Sequence, residues 1–545
     1  MCFEIIEKDL LARIGKLKTK SGVVETPILF PVINPAVQPV PPREMAEKFE
    51  CKALITNAYI IRKHYGEKAV EEGIHKLLDF NGVMMTDSGA YQILIYGDIE
   101  VKPEEIVDYQ ERIDTDIAVI LDVPTGWNVN RRHAEETVKE TLARARKLWQ
   151  IKSLKDILWV GPVQGGKFLD LISKSAKEIG KLPFQIHALG SPTPVMEQYQ
   201  FDVLVDMIMA ARMNLPLERP LHLFGAGHPF MFSLAIALGC DMFDSAAYAI
   251  YARENRYMTE YGTFRLEELD LLPCSCPICV KYDAKELKEI PKNERKKLLA
   301  EHNLYVCFEE LRRIKQAIVE GRLWEHLEMR CHSHPALLKA LKKLEKYADY
   351  IEKHTPITKK SGLFYFSHLD LTRPEIIRHK RKIKENYSPS EKAKILVLLP
   401  QTKEKPFHRS REQKRFRKLV EKRLGEKSEI LHICTYAAPF GIVPNEIDEV
   451  YPLSQHEVAT PLDIETIGYV AQQVANYIER TSYEKVFLLE NLDEWRGEIE
   501  ASCRNICEKK GISLITVKTE KWNKAMAEKF ANIVSEIILE GKKDD

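Results

Sequence analysis

Between residues 53 and 248 short apolar, β-branched runs alternate with longer amphipathic stretches. The apolar runs are 53–56, 82–86, 117–121, 157–163, 184–189, 221–224 and 242–243. The stretches between them, such as 102–112 and 131–151, repeat apolar residues at helical spacing and are rich in strong helix formers. Strands that read as continuous apolar runs are covered on both faces, as in a parallel sheet wrapped by helices. So many strand–helix units within roughly 250–300 residues predict an α/β fold closed into a (β/α)₈ TIM barrel, not an open sheet.

The pattern then changes. Residues 1–284 read as the barrel with a cysteine cluster at its end, and 285–371 as a charged helical extension. Residues 372–393 read as a basic helix and linker, and 394–545 as a smaller α/β domain with strands at 394–400, 430–436, 486–489 and 512–517. Pro356, Ser361-Gly362 and Asn386-Tyr387-Ser388-Pro389-Ser390 mark the breaks. Cys503 and Cys507, one helical turn apart, are expected in the core of that last domain.

Each candidate barrel strand runs into a polar residue or a glycine. They are Asp87-Ser88-Gly89, Asp122, Gln164-Gly165-Gly166, Gly190-Ser191, Gly225-Ala226-Gly227-His228 and Asp244-Ser245. A lone Asp after a strand is usually a cap or turn residue. Six polar strand ends in register are different, because a barrel gathers its strand ends on one rim. Three carboxylates and an amide would meet there. Paired carboxylates can serve as nucleophile and general acid/base at an anomeric carbon, and a carboxylate with an amide can read the donor edge of a guanine-like base.

Composition narrows this picture. At 545 residues the chain needs two to four domains, and 45% hydrophobic with 30% charged residues is a globular composition. Lys+Arg number 81 against Asp+Glu 80, a net charge of +1, so a polyanionic partner would require clustered basic residues. No apolar run of about eighteen residues is present, and the first residues lack a basic-then-apolar signal. A cytoplasmic protein without membrane contact is expected, and its eleven cysteines are not expected to form a disulfide frame.

Cys274-Ser275-Cys276-Pro277-Ile278-Cys279 followed by His302 supplies three thiolates and an imidazole, which close a tetrahedral zinc shell with no open position. One structural Zn²⁺ is expected, with His332 and His334 as other choices for the fourth ligand.

Together these residues resemble the archaeal branch of the tRNA-guanine transglycosylase family, over roughly residues 1–371. The motifs are Met85-Thr86-Asp87-Ser88-Gly89-Ala90-Tyr91-Gln92, His222-Leu223-Phe224-Gly225-Ala226-Gly227-His228-Pro229, Phe243-Asp244-Ser245-Ala246-Ala247-Tyr248 and the cysteine cluster. The resemblance implies exchange of a guanine in tRNA, at position 15 of the D-arm, for 7-cyano-7-deazaguanine through a covalent ribosyl–Asp intermediate. It implies Asp244 as nucleophile and Asp87 as general acid/base, with the two roles open to reversal. Asp122 and Gln164 would hold the base edge and Tyr91 would stack on its face. Gly190 and Ser191 would set backbone groups against the base, Ser191 standing where the family usually has a second glycine. A homodimer is implied as well. No small β-barrel RNA-binding module is read before Asp545, so the resemblance leaves room for a separate RNA-binding polypeptide.

Residues 403–423 carry ten Lys/Arg against three Glu, and 378–384 form a second basic run. Both are expected to meet phosphates, with Arg411, Lys414, Arg415 and Lys418 as the named contacts. Leu399-Pro400-Gln401-Thr402-Lys403-Glu404-Lys405-Pro406-Phe407 with Ser410 resembles, more weakly, a motif of archaeosine synthase, in which Cys-Ser stands where Gln401-Thr402 stand here. A synthase acting on the modified base is therefore the alternative function, and a silent tRNA-binding subunit a third. The intact aspartate pair favours base exchange over both.

Overall fold

The computed structural model describes residues 2–90, 102–152 and 156–540. Their contacts divide the chain into two units, Met1–Tyr347 and Ala348–Asp545.

In the first unit, β1 (Phe3–Asp9), β2 (Ala12–Thr19) and β3 (Gly22–Thr26) form an antiparallel meander. Eight parallel strands follow: β4 (Ile28–Pro31), β5 (Ala53–Asn57), β6 (Val83–Asp87), β7 (Ile117–Val119), β8 (Leu158–Val163), β9 (Ile186–Leu189), β10 (Leu221–Leu223) and β11 (Met242–Ser245). Their spatial order is β4-β11-β10-β9-β8-β7-β6-β5. A bridge from Val32 to Ile55, with the Ile33 amide donating to the Ile55 carbonyl at 2.9 Å, joins β4 to β5 and closes the ring. The predicted TIM barrel is present. Its first strand escaped the apolar pattern because it is only four residues long and ends in Pro31.

Alternation along the strands decides what the barrel holds. Ala53 and Ile55, Val83 and Met85, Ile117 and Val119, Leu158 and Val160, and Ile186 and Ala188 share one buried cluster inside it. Side chains two apart on a strand share a face, so the next inward position on each strand is its upper end. Asn57 and Asp87 occupy that level on β5 and β6, Gly190 lies just past β9, and Asp244 continues the row from Met242 on β11. The apolar interior thus ends in a polar top layer.

Phe3, Leu17 and Val24 of the meander join the same cluster and fill the barrel floor. A buried pair fixes them there. Arg13 on β2 forks onto Asp241, with Nε to Oδ1 at 2.7 Å and Nη2 to Oδ2 at 2.8 Å. Asp241 Oδ2 also accepts the Leu221 amide at 2.8 Å. Such a pair offsets its desolvation only when its remaining hydrogen-bonding capacity is used in this way.

After the barrel, the hairpin of β12 (Arg256–Thr259) and β13 (Gly262–Arg265) leads to a short helix, Pro277–Lys281, and then to the helices predicted for this region. The longest, Lys292–Glu320, ends at Gly321, whose φ of 75° is the left-handed cap that glycine tolerates.

The second unit contains β14 (Leu363–Tyr365), β15 (Ile395–Pro400), β16 (Leu431–Ala437), β17 (Gly441–Pro444), β18 (His456–Val458), β19 (Lys485–Asn491) and β20 (Ser513–Thr519). Five of them form a sheet in the order β17-β16-β15-β19-β20, parallel except for β17. Val397, Leu399 and Phe487 face the helices Arg411–Leu424 and Lys524–Glu540. Leu396, Leu398 and Leu488 face Ile464–Arg480 and Glu498–Lys510, the last with Cys503 and Cys507 buried in the core as expected.

The basic run 378–384 departs from expectation. Arg378 is buried, with Nε 2.7 Å from Glu352 Oε1, and its guanidinium donates to the carbonyls of Glu352, Thr355, Pro356 and Ile357. It closes the C-terminus of the helix Ala348–His354. His379 is also buried, Nε2 lying 2.9 Å from the Ile442 carbonyl, and Arg381 pairs with Glu352. Two of the six basic residues of this run, Arg378 and His379, are internal structure and not a phosphate surface.

Candidate active site

The rim of the barrel brings together most of the residues that the strand ends singled out. Asp87 ends β6 beside Asn57, its register partner on β5, whose Nδ2 donates to Asp87 Oδ2 at 3.1 Å. The Gly89 amide donates to the same oxygen at 3.3 Å. Burial, with Asp122 and Asp244 nearby, pushes Asp87 up to about 7. Desolvation and like charge both penalise an ionised carboxylate, so this group holds a proton over much of the neutral range.

Asp122 follows β7 after a tight turn in which its amide donates to the Ile120 carbonyl at 2.9 Å. Burial pushes it up to about 6, against the opposing pull of Gln164 and Arg144. Gln164 Nε2 donates to Asp122 Oδ2 at 2.6 Å. The amide orientation of Gln164 is fixed, because its Oε1 accepts the Thr125 amide at 3.0 Å and the Ser191 hydroxyl at 3.1 Å. Ser191 holds this contact from a left-handed φ of 61°. A Cβ on Gly190 would stand 2.2 Å from Gln164 Nε2, so glycine is required there for space. The Gly190 amide itself is engaged by the Val163 carbonyl at 2.9 Å. Gly190 therefore contributes room and not a free donor.

Asp244 near the end of β11 accepts the Gly225 amide at 3.0 Å on Oδ1, and His222 Nε2 lies 2.8 Å from that same oxygen. The adjoining loop is tight: a Cβ on Gly227 would fall 1.9 Å from Ser245 Cβ. Tyr91, expected to stack on a base, lies outside the described residues.

Two residues were not assigned a role from sequence. Asn57 also caps the helix Ala58–Tyr65, accepting the Ile60 amide at 3.0 Å, and reads as an ordinary cap. His222 is wholly buried in a three-residue strand and reads as a core histidine. Only its place three residues before Gly225, inside the barrel, hints at more.

Residues 8–336 match the family described as Queuine tRNA-ribosyltransferase. The chain belongs to that family. As a member of the queuine tRNA-ribosyltransferase family it is a glycosyltransferase. It is 46% identical over 85% of its length to a tRNA-guanine(15) transglycosylase of Methanocaldococcus jannaschii, covering 70% of that protein. A protein of the same name from Pyrobaculum aerophilum is 46% identical over 84% of the chain and 90% of the relative. A third, from Sulfolobus acidocaldarius, is 40% identical over 89% and 95%. Residues 376–536 match a domain of unknown function.

In this ribosyltransferase the cysteine cluster is assembled around His302. The sulfurs of Cys274, Cys276 and Cys279 and the Nδ1 of His302 all lie within 4.8 Å of one another and could hold a metal ion. Cys276 to Cys279 is 3.5 Å, and each lies 3.4 Å from Nδ1. His302 Nε2 lies 2.9 Å from the Met258 carbonyl, which leaves Nδ1 as the free ligand atom. Of the other candidates for the fourth position, His334 caps the helix Pro335–Lys343 and His332 lies 3.7 Å from Glu328. Neither joins the cluster.

Elsewhere in the ribosyltransferase, Gln401 just past β15 donates to Glu494 and accepts the Ala438 amide at 3.0 Å, a tie between the segments that follow β15, β16 and β19. On the helix Arg411–Leu424, Arg411, Lys414 and Lys418 are exposed, whereas Arg415 pairs with Glu528 at 2.7 Å. Among the described residues no helix is long and apolar enough to cross a membrane.

The raised Asp87 links stability to pH. A carboxyl group that keeps its proton in the fold up to about 7 adds stability below its ordinary value, and this is lost as pH rises through about 7. Asp87→Asn keeps an oxygen for Asn57 and Gly89 but carries no charge. Its melting temperature should exceed that of the native protein at pH 8, with the gain shrinking toward pH 4. A difference independent of pH would remove Asp87 from proton linkage.

Proposed function

We propose that the protein exchanges the guanine at position 15 of tRNA for 7-cyano-7-deazaguanine, by double displacement and without cutting the strand. The observation that carries this reading is the rim itself, where three carboxylates and an oriented amide meet at the top of one barrel. The relatives' shared name, tRNA-guanine(15) transglycosylase, supports the choice of base and position.

Asp244 acts as nucleophile: Oδ1 is taken by Gly225 and His222, which leaves Oδ2 for the ribose C1′. Asp87 gives a proton to the departing guanine and takes one from the incoming base, a task suited to a carboxyl group titrating near 7. Asp122 accepts from the donor edge of the base, and Gln164, locked by Thr125 and Ser191, spends one amide hydrogen on Asp122 and offers the other to the base. The nucleotide must leave its stack for C1′ to reach Asp244. Tyr91 and the backbone of Ser191 complete the base site, and the enzyme works as a cytoplasmic homodimer; these parts of the reading rest on the resemblance alone.

The metal cluster is read as a structural zinc site. Zn–S bonds of about 2.3 Å and Zn–N bonds of about 2.0–2.1 Å give tetrahedral edges of roughly 3.5–3.8 Å, close to the spacing of the ligand atoms. The ion would bind the segment after the barrel to the helix Lys292–Glu320 and supplies no step of the reaction. The exposed face of Arg411, Lys414 and Lys418 is read as a contact for tRNA phosphates, to which Arg415 contributes less because of Glu528.

The exchange of radiolabelled guanine into tRNA tests the central reading. Native protein with tRNA alone should form a denaturant-resistant adduct, and Asp244→Ala should lose adduct and exchange together. Asp87→Asn should slow exchange by about 10²–10⁴-fold, while Asp122→Ala should mainly weaken base binding. An adduct surviving in Asp244→Ala but lost in Asp87→Ala would reverse the two roles.

Metal analysis should find about one zinc per chain, and Cys276→Ser should lower the melting temperature. A zinc-free protein with an unchanged transition would refute the site. For the basic face, Arg411→Glu, Lys414→Glu and Lys418→Glu together should weaken tRNA binding and flatten its salt dependence. An unchanged affinity across the salt series would leave these residues as solvated surface.

A further inference from the structure

The donors to Asp244 are arranged for a purpose beyond holding the side chain in place. His222 sits on β10 inside the barrel, with no solvent exposure, next to Phe224 at a ring distance of 4.7 Å and stacked on Phe30 at 6.1 Å. Its Nε2 is 2.8 Å from Asp244 Oδ1. Its Nδ1 is buried and has no hydrogen-bond partner among the described residues. A hydrogen on Nδ1 would face no acceptor, which a buried N–H tolerates poorly, so the ring proton belongs on Nε2. Among the described residues the Asp244 carboxylate is the partner within reach of Nε2.

We propose that His222 is a positioning residue for Asp244: its Nε2–H and the Gly225 amide together occupy Oδ1, reserving Oδ2 for the bond to C1′. The proposal rests on the reading of Asp244 as nucleophile. In the first half-reaction an Oδ2 lone pair forms the C1′–O bond. The C1′–N9 pair leaves with guanine, whose N9 takes a proton from Asp87. In the second, the N9 pair of the incoming base forms the new glycosidic bond, its N9 proton passes to Asp87, and the C1′–O pair returns to Oδ2. His222 transfers no proton in either half.

Its effect falls on the energies of the two states. While Asp244 is a carboxylate, Oδ1 is a strong acceptor and both hydrogen bonds are charge-assisted. In the ester the same oxygen becomes an ordinary carbonyl, and both bonds weaken. The two donors therefore favour return to the carboxylate and speed the second half-reaction. The ring also fixes the side-chain rotamer. It is packed between Phe30 and Phe224, and the carboxylate cannot turn without breaking both bonds to Oδ1.

Three variants of the full chain separate this role from simple filling of space. His222→Gln can place an N–H₂ donor near the position of Nε2, His222→Asn is too short to reach, and His222→Phe fills the cavity without a donor. Each is assayed for guanine exchange and, in single turnover with tRNA, for formation and discharge of the adduct. His222→Gln should stay within a few-fold of native. His222→Asn and His222→Phe should lose about 10- to 100-fold in kcat, the size expected for a hydrogen bond to a charged group. The KM for the base should be unchanged and the adduct should discharge slowly. If Gln, Asn and Phe lose activity alike, or if the loss falls on KM, the inference is overturned while the nucleophile reading stands. If native protein forms no adduct although exchange proceeds, the nucleophile reading falls, and this inference with it.

Discussion

Three carboxylates placed on one partly covered rim repel one another and lose hydration together, and the barrel top is organised around that cost. Each one is steadied by donors gathered on a single oxygen. Asn57 and Gly89 reach Oδ2 of Asp87, Gln164 reaches Oδ2 of Asp122, and Gly225 with His222 occupies Oδ1 of Asp244. Burial and like charge still act most on Asp87, pushed up to about 7, and less on Asp122, pushed up to about 6. A destabilised carboxyl group of this kind is the usual mark of a site kept for chemistry at the expense of stability. Below the rim the interior is apolar and closely filled, so the polar layer has no route to relax downward.

Much of this was legible in the sequence, for a physical reason. A parallel barrel writes its strands as apolar runs and its reactive layer as the first polar residue after each run, so Asp87, Asp122, Gln164 and Asp244 stood out. What escaped was carried by residues whose local pattern is ambiguous. β4 is short and ends in Pro31, and the meander of β1 to β3 carries charged residues along its apolar face. His222 looks like any buried histidine until Asp244 on the neighbouring strand is known to meet it. Arg378 is misread in the opposite sense. In a run of basic residues it looks solvated, yet it satisfies four carbonyls at a helix end, which only tertiary placement reveals.

The two units spend their polar groups differently. In the barrel, strand ends gather their carboxylates in one layer above the apolar core. In the second unit, Gln401 lies just past β15, and its amide is used on both sides by Glu494 and Ala438. The crevice outside the carboxyl ends of an open parallel sheet is where such folds usually bind ligands. Here side chains of the protein itself take up that hydrogen-bonding capacity. The exposed charge of this unit lies instead along the helix Arg411–Leu424, where it suits a broad and weakly specific contact.

The floor formed by Phe3, Leu17 and Val24 has a consequence for the order of events. With those side chains locked beneath the core by Arg13 and Asp241, traffic through the barrel from below is closed. On the proposed exchange, outgoing and incoming bases are nearly the same shape and need the same pocket, and both must use the upper mouth. Occupancy is therefore a queue of one: the first base must be gone before the second can enter. On the proposed double displacement, the covalent ester would keep the opened ribose from water during the interval when the pocket stands empty.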